Sequence, residues 1–193
     1  MAEFKKGSCV KTEFYKRRHR REHWYRDNTV YFLTVRCADR FPAFASEEAK
    51  AIFWRQFAKY TTEHHFDVWV CTLVDNHYHA VGYLDHGPDL APMIRKIHGS
   101  VAKLVNDMLP TRRVPFWADY FDGCLRDEDQ YRRAYRYTLL QSQRHGICGD
   151  YRLYPHTRVD VTLEDGLALA RSRRVFLREV PYKRYENARN HAD

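Results

Sequence analysis

His77 and His79 stand one residue apart in DNHYHAVGYL, residues 75–84, within a run that otherwise reads as a buried strand. Histidine gains little from burial, so the pair asks for a reason. Successive side chains of a strand point to opposite faces, which puts both imidazoles on one face with Cα atoms roughly 6.5 to 7 Å apart. At that spacing two ring nitrogens can converge on one ion, while Tyr78 turns the other way into packing. The pattern also fits two histidines on the solvated face of a hairpin. A second pair lies in YTLLQ, where Tyr137 and Gln141 are four residues apart. On a helix they are neighbours, roughly 5 to 6 Å apart at Cβ. A phenol nucleophile and a neutral oxygen ligand would then move as one unit. An amphipathic helix whose Tyr131, Tyr135 and Tyr137 simply pack is the other reading.

These residues need a strand and a helix to carry them. Thr29–Cys37 (TVYFLTVRC) is rich in β-branched and aromatic residues and predicts a first strand. Ser46 and the acidic turn after it predict the start of a helix with Ile52, Phe53, Gln56 and Phe57 at helical spacing. Phe66–Val74 is a second strand, Asp75-Asn76 a turn, and His77–Leu84 a third strand that closes a hairpin. Asp89 is a plausible N-cap for a helix from about Leu90 to Met108, with Met93, Ile94, Ile97, Val101, Leu104 and Val105 on one face. A fourth strand falls around Tyr120–Leu125, and a last core helix runs from Asp127 until Gly146 ends it. The order β-α-β-β-α-β-α is of the α+β class. Its first six elements match the ferredoxin-like βαββαβ arrangement, an antiparallel sheet with helices on one face, followed here by a C-terminal core helix carrying the tyrosine.

Charge points to the partner. Lys and Arg number 33 against 25 Asp and Glu, a formal charge of +8, which favours a polyanion or simply aids solubility. Part of the excess sits in KTEFYKRRHRREHWYR, where Lys16, Arg17, Arg18, Arg20, Arg21 and Arg26 are mixed with Phe14, Tyr15, Trp24 and Tyr25. Cations neutralise phosphates and aromatic faces stack on bases, although a solvated basic arm would look the same. Five widely spaced cysteines with no CxxC pair suggest neither a zinc ribbon nor a disulfide framework, and fit a reducing cytoplasm. No signal-like apolar core or membrane-length apolar run occurs, so a soluble, cytoplasmic and nucleoid-associated protein is expected.

HYH at 77–79 after the Asp75-Asn76 turn, then helix, aromatic-rich strand and YTLLQ on a terminal helix, resembles the HUH single-tyrosine transposases (the IS200-like transposases). The basic ends are similar to those of the REP-associated tyrosine transposase branch. The likeness spans roughly Thr29 to Gly149 and includes the segment PFWADYFDGCLRDEDQYRRAYRYTLLQSQRHGI. REP-associated members often carry Asn then Pro four residues after the tyrosine; Gln141 and Ser142 stand here, and Gln resembles the insertion-sequence members. On this reading residues 1–27 are a basic arm, 28–150 an HUH transposase-like catalytic domain and 151–193 a charged extension.

The resemblance implies that His77, His79 and Gln141 hold Mg²⁺ or Mn²⁺, and that Tyr137 attacks single-stranded DNA flanked by a hairpin. Imidazole is a soft ligand for Mg²⁺, so Mn²⁺ should bind at least as well. The product would be a 5′-phosphotyrosine and a free 3′-hydroxyl, resealable without ATP. A general base is not assigned, with His145, Asp127, Glu128 and Asp129 on or near the helix. DNA contacts are expected from Lys16, Arg17, Arg18, Arg20, Arg21 and Arg26, with Arg95, Lys96 and Lys103 on the second helix. The implied assembly is a monomer or a homodimer. Alternatives are a DNA-hairpin or RNA-binding protein of the same fold that does not cut, and a replication-initiator or relaxase-like nickase.

Overall fold

The computed structural model describes residues 25–176. Strands β1 (Thr29–Arg36), β2 (Asp67–Val74), β3 (His77–Leu84), β4 (Phe121–Leu125) and β5 (Thr157–Val159) form one antiparallel sheet in the order β4-β1-β3-β2-β5. Helices α1 (Glu47–Glu63) and α2 (Leu90–Asn106) cover one face; α3 (Glu128–Leu139), the short α4 (Gln141–Arg144) and α5 (Leu163–Ser172) follow later in the chain. The first six elements give the ferredoxin-like sheet anticipated from the sequence, and β5 extends it by one strand beside β2.

Alternation along the strands divides the interior in two. Tyr31, Leu33 and Val35 of β1 and Tyr78 and Ala80 of β3 face α1 and α2, joining Phe53, Phe57, Met93, Ile97 and Val101 in the larger core. Val30 and Val81 point the other way and pack with Tyr131, Ala134 and Tyr135 of α3 and Leu167 and Ala170 of α5. A bulge between Val68 and Val70 turns both Trp69 and Val70 into this second core. His77 and His79 lie on that side, because they share parity with Val81.

Local chemistry sets the element ends. The Ser46 hydroxyl accepts from the Ala49 amide at 3.2 Å and the Asp127 carboxylate from the Gln130 amide at 2.7 Å, so each satisfies a donor that the first helical turn leaves open. The Asp89 side chain makes no capping bond; a 3₁₀ turn over Gly87–Asp89 leads into α2 instead. The last core helix is interrupted. Leu140 leaves helical geometry (φ −90°, ψ 12°), and the Gln141 side-chain amide donates to the Tyr137 carbonyl at 2.8 Å across the break. Gly146, at φ 66°, then takes the left-handed conformation that closes the segment.

Residues 151–176 belong to the fold. The Tyr154 hydroxyl donates to the Leu73 carbonyl at 3.0 Å, β5 pairs with β2, and the Trp54 indole N–H donates to His156 Nδ1 at 3.0 Å. Gly166 lets α5 approach α3, since a Cβ there would overlap the Tyr131 hydroxyl.

Candidate active site

His77 and His79 project from β3, which is hydrogen-bonded on both sides, to β1 and to β2. Their ring centroids are 5.0 Å apart. The His79 ring meets the Tyr137 ring edge-on at 5.0 Å, and His77 Nε2 lies 3.3 Å from Gln141 Oε1. The side chains singled out as His77, His79, Tyr137 and Gln141 therefore converge from one strand and from the two helical segments on either side of the Leu140 break. His77, His79 and Gln141 are buried, whereas Tyr137 is 38% exposed, so the Tyr137 side chain is open to solvent and the imidazoles are not.

Each imidazole has a hydrogen-bonding partner at Nδ1. Asn76 Nδ2 donates to the Arg40 carbonyl, which turns Asn76 Oδ1 toward His77 Nδ1 at 2.6 Å. Gln141 Nε2 is committed to the Tyr137 carbonyl, which turns Oε1 toward His77 Nε2. His77 thus lies between two carbonyl oxygens. Burial pushes its pKa down to about 4, against a smaller upward pull from Gln141, with His145 and Arg36 adding to the decrease. At neutral pH the ring is uncharged and owns one N–H. Asn76 Oδ1 at 2.6 Å and Gln141 Oε1 at 3.3 Å both face it, so a neutral ring can donate to one of these oxygens and not to both.

His79 is pushed down further, to about 3, first by burial and then by His77, Arg36 and His145. Its Nδ1 lies 2.9 Å from the Thr34 hydroxyl, directly opposite in the β1–β3 register, which leaves Nε2 as its second ring nitrogen. As ligands for an ion the site would offer two neutral imidazoles and a carboxamide oxygen. Among the described residues no group of three His, Cys, Asp or Glu side chains is arranged to hold a metal. A divalent ion here would take the carboxamide as its third protein ligand and leave positions for phosphate oxygen or water.

Several neighbours carry no motif of their own. Phe32 stacks on His79 (5.8 Å) and meets Tyr137 edge-on (5.9 Å), keeping both rings upright. The Arg144 guanidinium lies 4.5 Å from the Tyr137 ring centroid. The exposed His145 ring is 4.8 Å from that of His77. Arg36, opposite His77 in the register, is exposed on the same face as His77. Strand parity and helical spacing from Tyr137 signal Phe32 and Arg144 only once the β1–β3 pairing is known. Asp127, Glu128 and Asp129 are at the other end of α3, roughly 12 to 15 Å along the axis from Tyr137. Asp127 caps the helix and Glu128 binds Arg171, so the side chains of these two residues serve structure rather than the phenol.

The proposed DNA contacts divide. Lys16, Arg17, Arg18, Arg20 and Arg21 lie outside the described residues. Arg26 is buried, with its main chain tied to the Tyr31 hydroxyl through both N–H (2.8 Å) and carbonyl (2.9 Å). Arg95, Lys96 and Lys103 are exposed on α2, across the sheet from Tyr137, and Lys96 pairs with Glu63.

No protein-family model and no curated protein matches this sequence. Among solved structures, a REP-associated tyrosine transposase bound to a REP hairpin overlays with a TM-score of 0.60 at 14% identity, covering 86% of this chain and 93% of that one. A Deinococcus radiodurans protein assigned as a transposase overlays with a TM-score of 0.44 at 11% identity, covering 64% of this chain and 93% of that one, too loosely to define a common fold. Among the described residues no helix is long and apolar enough to cross a membrane. The chain shares its fold with a REP-associated tyrosine transposase.

Proposed function

We propose that this protein is an HUH-type tyrosine transposase that cuts and rejoins single-stranded DNA through a 5′-phosphotyrosine, acting on DNA flanked by a hairpin. The observation that carries the reading is the convergence of His77, His79 and Gln141 beside an accessible phenol, with His77 Nε2 3.3 Å from Gln141 Oε1 and the His79 and Tyr137 rings 5.0 Å apart. A neutral His77 has one N–H for two carbonyl oxygens, and a cation on the other ring nitrogen would relieve the buried contact left without a proton. The hairpin is taken from the structural neighbour, which is bound to one.

His77, His79 and Gln141 would hold Mg²⁺ or Mn²⁺. When bound, the ion supplies Lewis acidity to the scissile phosphate and offsets charge as it develops there. Tyr137 Oη bonds to phosphorus and loses its proton, the P–O3′ bond breaks, and the leaving oxygen becomes a 3′-hydroxyl on taking up a proton. Attack on the adduct by another 3′-hydroxyl reverses each change and joins that strand. Phe32 and Arg144 hold the phenol ring from two sides, and Arg36 and Arg144 set positive charge around the position of a phosphate.

The test is covalent capture of a labelled single strand bearing a hairpin. An adduct that survives denaturation should form in Mn²⁺ and vanish in EDTA. Tyr137→Phe should abolish it, whereas Tyr135→Phe should retain it, because the Tyr135 hydroxyl is bonded to the Val161 carbonyl inside the second core. An adduct formed by Tyr137→Phe and lost in Tyr135→Phe would move the nucleophile. A binding protein that does not cut would form none.

A further inference from the structure

Beside Tyr137 a cleft of about 340 Å³ opens between β4 and α3, within the range of roughly 300 to 1,000 Å³ typical of small-molecule sites. Gln130, Arg133, Ala134 and Tyr137 form its helical wall. Their spacing makes one stripe down α3. The sheet side is built from Phe32, Phe121, Gly123 and Leu125. Gly123 lies opposite Phe32 in the β1–β4 register, so the absent side chain forms the hollow, and a Cβ there would come within 3.0 Å of the Phe121 ring. Since β4 is the edge strand of the sheet, the cleft opens sideways as well as upward.

We propose that this cleft takes one unstacked nucleobase of the single strand, adjacent to the phosphodiester that Tyr137 attacks. The assignment rests on reading this face as a single-stranded DNA site. Phe121 and Tyr137, 40% and 38% exposed, present aromatic surface that a base can cover without any sequence code. Arg133 is exposed at the rim and has no ion pair among the described residues, so it can meet the phosphate that follows the base. Tyr137 belongs to both the cleft and the candidate active site, and Phe32 touches both Tyr137 and His79. A base seated there fixes the register of the backbone over the phenol. The cleft is lined mainly by carbon, so it discriminates by shape and stacking more than by hydrogen bonding.

Binding is measured by fluorescence anisotropy on the full chain in EDTA, so that no cleavage occurs. The probes are oligo(dT) of about eight nucleotides and a fully abasic strand of equal length. Wild type should hold oligo(dT) more tightly, by roughly five- to a hundredfold. Phe121→Ala, which removes the exposed platform, and Ala134→Leu, which fills the cleft from the helix, should each bring the ratio toward one without changing the salt dependence. Irradiation of a 5-iodouracil strand should label the segment 121–137. Equal affinity of wild type for both probes, a ratio untouched by both variants, or tighter binding of oligo(U) than oligo(dT) would overturn the assignment. A chain that shows the ratio and its loss in the variants but forms no covalent adduct keeps the cleft and loses the nuclease reading; the opposite pattern does the reverse.

Discussion

At the scale of single residues, the candidate site is defined by what holds each imidazole from behind. Asn76 fixes His77 through Nδ1 and Thr34 meets His79 at Nδ1. Such outer partners commonly change metal affinity by about ten- to a hundredfold when removed. Asn76→Ala should therefore weaken Mn²⁺ binding by about that factor, read by calorimetry, with little change in melting temperature. Protonation gives a second test. Burial holds His77 at about 4 and His79 at about 3, against 6.5 for the free side chain. As pH falls below about 6.5 the unfolded chain takes up protons that the folded chain refuses, so stability drops through that window down to the folded values. Urea unfolding without metal should show this acid slope, and His79→Gln should make it shallower. The two motif pairs were legible in sequence because a period of 2 or 3.6 says which residues share a face. Asn76 and Thr34 were not, because their roles depend on the pairing of Thr34 with His79 and on Asn76 being anchored to Arg40.

At the scale of elements, the β2–β3 hairpin and the α3–α4 break perform different tasks. The two-residue turn sets Val74 opposite His77, which fixes the parity that sends both histidines to the second core. The break at Leu140 lets the Gln141 carboxamide bridge the Tyr137 carbonyl and His77. An uninterrupted helix was expected there, and no residue between Asp127 and Gly146 announces the break. The hydrogen bonds that accompany it involve a side chain. Helix starts were plainer. Asp127 caps α3, and Asp127→Ala should cost about 1 kcal/mol. For a domain of this size that corresponds to a fall of about 2 to 4 °C in thermal midpoint. The short β5 is not legible in the sequence because three residues, Thr157–Val159, carry no readable alternation and gain their place from pairing with β2.

At the scale of the whole molecule, two cores back one sheet, and the second depends on residues late in the chain. Trp69 and Tyr131 are fully buried, in a core that includes Leu167 and Ala170 of α5. A chain ending at Gly149 would expose them. It should melt at markedly lower temperature and bind a hydrophobic dye, as light scattering and fluorescence would show. The segment looked like a charged appendage because its apolar positions are few; those few fit a core already assembled from distant strands. Charge acts at this scale too. With a formal charge of +8, affinity for single strands should fall with salt, with a log–log slope of about −0.7 per neutralised phosphate.

The central placement of β3 has a mechanical result. A strand laced to partners along both edges cannot shift one side chain without unzipping its neighbours, so the spacing of the two imidazoles is as stiff as the sheet. The phenol stands in the last turn before a discontinuity, where the main chain is free of that lattice. If the proposed function holds, misalignment between Tyr137 and the histidines is absorbed at Leu140, and substitutions there should alter strand cleavage before they alter Mn²⁺ affinity.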